Sequence, residues 1–145
     1  MIVVADRPIE IPGVAVEFRK WRLEDEVSCF GGFAVGLMPL EDTPWARAKC
    51  AFKAIQYMAL GIPVVASPVG MNRELIRDGV NGFLPADAAA WLATLDALLT
   101  DASLARRIGA LGRATVERDY ALSVVGSKVV GLVADALSRS SNTSA

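Results

Sequence analysis

Apolar residues in this chain form short unbroken runs that alternate with helical repeats. Ile2 to Ala5 is an apolar run closed by Asp6, Arg7 and Pro8, and Val14 to Phe18 alternates in polarity before Trp21, so both predict strands. Leu23 to Phe30 predicts a helix ended by Gly31 and Gly32. Ala34 to Met38 is a continuous apolar strand stopped by Pro39, as expected of a strand covered on both faces. Thr43 before Pro44 has the form of an N-cap and first-turn proline. Trp45, Ala48, Phe52, Ile55 and Ala59 then recur at three- and four-residue intervals, which predicts one helix running on to Gly61.

Pro63 to Ser67 predicts another buried strand, Asn72 to Asp78 a short helix ended by Gly79, and Gly82 to Leu84 a short edge strand. Helices follow at Asp87 to Leu99, at Leu104 to Tyr120 with Ser103 as its cap, and at Ala121 to Leu137. Gly126 and Gly131 weaken the last helix by about 1 kcal/mol each relative to alanine, so it depends on packing against something. Ser138 to Ala145 is small and polar and is expected to be a disordered tail.

Strands alternating with helices predict an α/β fold with a mostly parallel sheet. Neither G-x-G-x-x-G nor a P-loop occurs, so any phosphate site must be built differently. The 145 residues suit one domain with one core, taken as 1–137, and no interdomain linker stands out. With 53% hydrophobic residues and a mean hydropathy of +0.39, some apolar surface is left over for a partner. A net charge of -1 argues against nucleic acid as that partner. No apolar run reaches the roughly 20 residues of a transmembrane helix, and the N-terminus lacks the charged start of a signal peptide, so a cytoplasmic location is expected. The chain has no histidine, which removes the commonest general base, and no metal or other cofactor is expected. Cys29 and Cys50 read as reduced packing residues.

The segments V-G-L-M-P-L from Val35, K-C-A-F-K-A-I-Q-Y-M-A-L-G-I-P-V-V-A-S-P-V-G from Lys49 and N-R-E-L-I-R-D-G-V-N-G-F-L from Asn72 fall in order. With R-R-I-G-A-L-G-R from Arg106, they resemble the C-terminal, donor-binding half of a retaining, glycogen-synthase-like group 1 glycosyltransferase of the GT-B type. The resemblance runs from about Ile2 to Leu137 and implies a Rossmann-like three-layer sandwich. It also implies a nucleotide-sugar lying across the carboxyl ends of the strands. A separate N-terminal domain would hold the acceptor, and the leaving diphosphate would help to deprotonate it. Relative to the family the chain lacks that acceptor domain and the first strand and helix of the C-terminal one. Isolated activity is therefore expected to be absent, and the exposed sheet edge or apolar face is expected to be covered by a second copy, giving a homodimer.

The resemblance also marks candidate residues. Where many members carry a pair of glutamates, this chain has Ala48 and Gln56, and Gln56 retains the capacity to hydrogen-bond a ribose hydroxyl. Lys49, Lys53 and Gln56 recur at i, i+4 and i+7, so a helix containing all three would align them as a diphosphate and ribose stripe, or equally as an ordinary charged face. Ala51 stands where the family commonly has glycine close to the diphosphate, and Ala34 where it commonly has aspartate. The Gly70 turn is expected to offer the N–H groups of Met71, Asn72 and Arg73 to an anion, with Glu74 orienting the turn or touching the sugar. Favourable interaction with the helix dipole explains Glu74 equally well. Trp21 lies where the family holds the base, or else in the core. The competing reading, supported by Ala48, Ala51 and the absent first strand, is a non-catalytic remnant or oligomerisation module that keeps the fold without binding a donor.

Overall fold

The computed structural model describes residues 1–142, which gather into two compact units, Met1–Phe33 and the chain from Ala34 onward. In the first, β1 (Ile2–Ala5) pairs in parallel with β2 (Glu17–Lys20), placing Val3 opposite Phe18. β2 lies further along the chain than the alternation of Val14 to Phe18 predicts. The preceding residues close instead into a turn in which the Val14 N–H donates to Ile11 O at 3.0 Å. The helix expected over Leu23 to Phe30 is reduced to turns and a 3-10 segment at Ser28–Phe30. Leu23 and Val27 are exposed and only Phe30 of that segment is buried, so no apolar face is covered to support a longer helix.

The second unit carries β3 (Gly36–Met38) and β4 (Val64–Ala66), paired in parallel with Leu37 opposite Val65. All three residues of β4 are fully buried, as their uninterrupted apolar sequence requires. On its other side β4 exchanges hydrogen bonds with Phe83, at 2.9 and 3.0 Å, so the expected edge strand Gly82 to Leu84 narrows to a bridge. Among the described residues, α1 (Pro44–Arg47) and α2 (Phe52–Ala59) lie between β3 and β4, and α3 (Asn72–Leu75), α4 (Ala88–Thr100), α5 (Ala102–Asp119) and α6 (Leu122–Asn142) follow β4. Ala54 and Met58 of α2, Leu75 of α3 and Val116 of α5 join Val64 and Ala66 in one apolar cluster. The α/β architecture with parallel pairing therefore stands, distributed over two two-stranded sheets.

Local chemistry moves several helix boundaries. Thr43 caps α1 as its sequence predicts, accepting the Ala46 N–H at 3.1 Å. The single helix expected from Pro44 to Gly61 is nevertheless broken between α1 and α2, because Ala51 adopts φ +56. α3 stops at Leu75, short of Asp78, since Ile76 is extended. α5 is capped by Asp101 rather than Ser103: its Oδ1 accepts N–H bonds from Ser103 and Leu104 at 2.8 and 3.0 Å and the Ser103 hydroxyl at 2.7 Å. That hydroxyl bond and the two N–H bonds hold the Asp101 carboxyl below its ordinary range. α6 continues through Ser138 to Asn142, so those residues of the expected tail extend the helix, while 143–145 lie outside the described residues. The helical stretch Ala102–Arg139 contains an 18-residue window of mean hydropathy 1.5, long and apolar enough by composition to cross a membrane. The apolar run within it is not continuous, since Lys128 and Asp135 interrupt it.

α5 crosses the end of α2 at very short range. A Cβ at Gly109 would collide with the carbonyl oxygen of Gly61, and one at Gly112 would stand 3.3 Å from Met58 Cγ. Gly109→Ala should therefore cost about 3 kcal/mol in chemical denaturation, because the obstacle is backbone and cannot swing aside. Gly131→Ala, at a site where a Cβ meets nothing within 4 Å, should instead stabilise by about 0.5–1 kcal/mol.

Candidate functional site

Ser67 ties together the carboxyl ends of the two central strands. Its N–H donates to Met38 O at 3.1 Å, and its Oγ accepts the Leu40 N–H at 2.9 Å. Behind it, Asn72 is 1% exposed and donates from Nδ2 to Ser67 O at 2.9 Å. The sequence reading offers Asn72 as a ligand donor through its backbone, whereas the structure uses its side chain to hold the strand ends.

Beyond the end of β3 opens a cleft of about 510 Å³, lined by Leu37 to Leu40 on the strand side and by Ala48, Lys49, Cys50, Phe52, Lys53 and Tyr57 on the other. The left-handed Ala51 makes this wall. It turns the chain out of α1 and back into α2, so Lys49 lies in the connecting loop instead of on a continuous helix. The proposed helical stripe of Lys49, Lys53 and Gln56 therefore does not form as spaced. The loop nevertheless brings Lys49 and Lys53 to the same cleft. Gln56 is not among the lining residues, although its Oε1 is buried without a hydrogen-bond donor. Lys53 Nζ stands 5.8 Å from the centroid of the Phe52 ring, within cation–π range.

α2 starts at this cleft with no side-chain cap, and its first N–H groups carry the positive end of the helix dipole. Two lysines and an uncapped helix start suit an anion with several oxygens. The left-handed cap is the conformation in which glycine is favoured and alanine is strained by about 1–2 kcal/mol. Ala51 holds it because the residue is 1% exposed and fixed in the apolar cluster.

The Gly70 turn meets the end of α1 directly. Gly70 has φ +52, and a Cβ there would stand 2.6 Å from Arg47 O. The turn is not the open donor set expected from its sequence: the Asn72 and Arg73 N–H groups bond back to Val69 O and Gly70 O, at 3.2 and 3.1 Å. Met71 packs against the apolar cluster, while Arg73 and Glu74 are exposed. Arg73 adds to the field around Asp42, whose carboxyl is held low mainly by hydrogen bonds from Arg47 at 2.6 and 3.1 Å. Glu74 adds to the field at Tyr120, whose hydroxyl is pushed up first by burial and then by the charges of Asp119 and Glu74.

Cys50 is exposed in the cleft wall and is not the packing residue expected, whereas half-buried Cys29 donates through Sγ to Glu26 O at 3.2 Å. Trp21 lies in the first unit, 38% exposed, which removes the core reading for it. Tyr57 and Cys50 were missed as lining residues because only the break at Ala51 and the packing of Tyr57 over Gly36 place them there.

Residues 4–101 match the family model described as group 1 glycosyl transferases. Over 98 residues the chain is 35% identical to EpsD of Bacillus subtilis (strain 168), which carries a provisional glycosyltransferase description; the match covers 62% of this chain and 26% of EpsD. Over 78 residues it is 44% identical to a phosphatidyl-myo-inositol mannosyltransferase of Mycobacterium leprae (strain TN), covering 52% of this chain and 21% of that protein. Among solved structures, sucrose-phosphate synthase from Thermosynechococcus elongatus superposes with a TM-score of 0.74 at 24% identity, over 86% of this chain and 31% of the other. HepE from Anabaena, in complex with UDP and glucose, superposes with a TM-score of 0.70 at 20% identity, over 83% and 32%. The fold is thus that of a GT-B domain, and the matches cover 26% and 21% of the two curated relatives.

Substitution at Ala51 separates backbone strain from side-chain bulk. Ala51→Gly should leave stability within about 1 kcal/mol of the parent, since relief of φ strain and loss of a buried methyl oppose each other. Ala51→Val should lose about 3 kcal/mol in urea denaturation, because a β-branched side chain is disfavoured at this φ and the site is full.

Proposed function

This chain belongs to the group 1 glycosyltransferases, and on that premise we propose that its cleft holds the diphosphate of a nucleotide-sugar donor. The observation that carries the reading is the convergence of Lys49, Lys53 and the uncapped start of α2 on one cleft at the carboxyl end of β3. Parallel α/β folds bind ligands at the carboxyl ends of their strands. The likeness to HepE, which was crystallised with UDP-glucose, supports the donor class.

In this reading the lysines and the α2 N–H groups neutralise charge that grows on the diphosphate as the bond from the sugar's anomeric carbon to its phosphate oxygen breaks. The acceptor oxygen bonds that carbon, and its proton passes to a diphosphate oxygen. No histidine is needed for that transfer. The ribose contact expected of Gln56 is not part of this reading, since Gln56 does not line the cleft and its Oε1 is buried. Glu74 and Arg73 are not among the cleft-lining residues and take no part in this reading. We assign acceptor binding to a separate domain, and the proposal includes no metal or other cofactor.

Calorimetric titration with UDP, GDP and ADP tests the site. Saturable binding of at least one is expected, and Lys53→Ala should weaken it about tenfold, the loss of one charge-assisted contact worth about 1.4 kcal/mol. An absence of binding by all three nucleotides, in a chain with native circular dichroism, would overturn the reading in favour of a non-catalytic remnant. A second expectation concerns turnover. This chain alone, incubated with radiolabelled nucleotide-sugars and simple acceptors, should form no glycosylated product, and product formation would refute the assignment of acceptor binding elsewhere.

A further inference from the structure

α6 leaves most of its apolar surface uncovered. Leu122, Val125, Val129 and Leu132 are 88%, 38%, 52% and 70% exposed, and Val130 and Val133 beside them are exposed as well. An apolar surface of this extent on one helix marks an interaction site. The pattern within it identifies the partner.

Leu122, Val125, Val129, Leu132 and Ala136 recur at alternating intervals of three and four, the a and d positions of a heptad. In that register Lys128 and Asp135 both occupy g, and they are the charged side chains between Ala121 and Ser138. One heptad separates them by about 10.5 Å along the axis, too far for an ion pair within the helix. An antiparallel copy of α6 removes the mismatch. With Val129 layered on Leu132 of the second copy and Val125 on Ala136, each Lys128 comes opposite Asp135 of the other chain, and two-fold symmetry makes the contact twice. A parallel pair would set Lys128 beside Val133, at an e position, and leave the charge unmatched.

We propose that α6 is a self-pairing surface that joins two copies of this chain as an antiparallel two-helix seam, with reciprocal Lys128–Asp135 ion pairs fixing its direction. Lys128 also contributes to the field that holds the Asp119 carboxyl low, at the end of α5. A lipid surface suits α6 less well. Its polar residues include Ser123, Ser127 and Ser138 with two cations, Lys128 and Arg139, set eleven residues apart and one anion, Asp135, between them, so it lacks the clustered basic face that draws an amphipathic helix to anionic lipid. The proposal does not depend on donor binding.

Sedimentation equilibrium at tens of micromolar, with circular dichroism as the check on folding, provides the test. The parent chain should dimerise. Lys128→Glu alone and Asp135→Lys alone should each weaken association about tenfold, since each sets two like-charged pairs across the seam. The double variant should return to within about threefold of the parent. A monomer throughout, a dimer indifferent to the single changes, or a double variant no better than the singles would overturn the proposal. So would co-flotation of the chain with phosphatidylcholine–phosphatidylglycerol vesicles, which would assign the face to lipid.

Discussion

Backbone packed directly on backbone is the constraint from which the second unit takes its form. At Gly109 and Gly61 a helix approaches a turn so closely that no side chain fits between them, and at Gly70 and Arg47 a turn meets the end of α1 in the same way. The first contact seats α5 against the end of α2, which presses Ala54 and Met58 into the cluster around β4. The second joins the end of α1 to the turn that opens α3. Close packing of this kind leaves little room for adjustment, so neighbouring elements inherit their positions from it.

The cleft is a consequence. Because the end of α1 is held by Gly70, the chain can enter α2 only by reversing at Ala51, and the left-handed residue there is buried rather than relaxed. That reversal leaves the start of α2 without a side-chain cap and directs the lysines on either side of it to one cavity. Local strain of about 1–2 kcal/mol is thus maintained by tertiary packing at a buried position between the cleft-lining Cys50 and Phe52. The Ser67 and Asn72 hydrogen bonds complete the arrangement by fixing the strand ends beneath it.

α6 shows the opposite balance. The core around β4 excludes water, whereas this helix displays valine and leucine along much of its length. Helices with that composition gain stability chiefly through a partner. The glycines at 126 and 131 already indicate dependence on packing, and the heptad spacing with Lys128 and Asp135 indicates the geometry of the pairing we propose.

Much of this organisation was legible in the sequence. Uninterrupted apolar runs identify β1, β3 and β4, helical periodicity and Asp87 identify α4, and the ordered segments from Val35 onward carry the family. These signals are local, since each depends on residues within a few turns of one another. The helix over Leu23 to Phe30 and the unbroken helix through Ala48 were misread for the complementary reason: propensity and spacing favour them, but burial does not support the first and the Gly70 contact diverts the second. The same holds for the site. Sequence determined that Lys49, Lys53 and Gln56 were available, and spacing suggested a common helical face. Only tertiary structure decided that Lys49 and Lys53 meet through a loop, that Asn72 turns inward to Ser67, and that Cys50 and Tyr57 line the cleft, because those placements follow from contacts between segments distant in the chain.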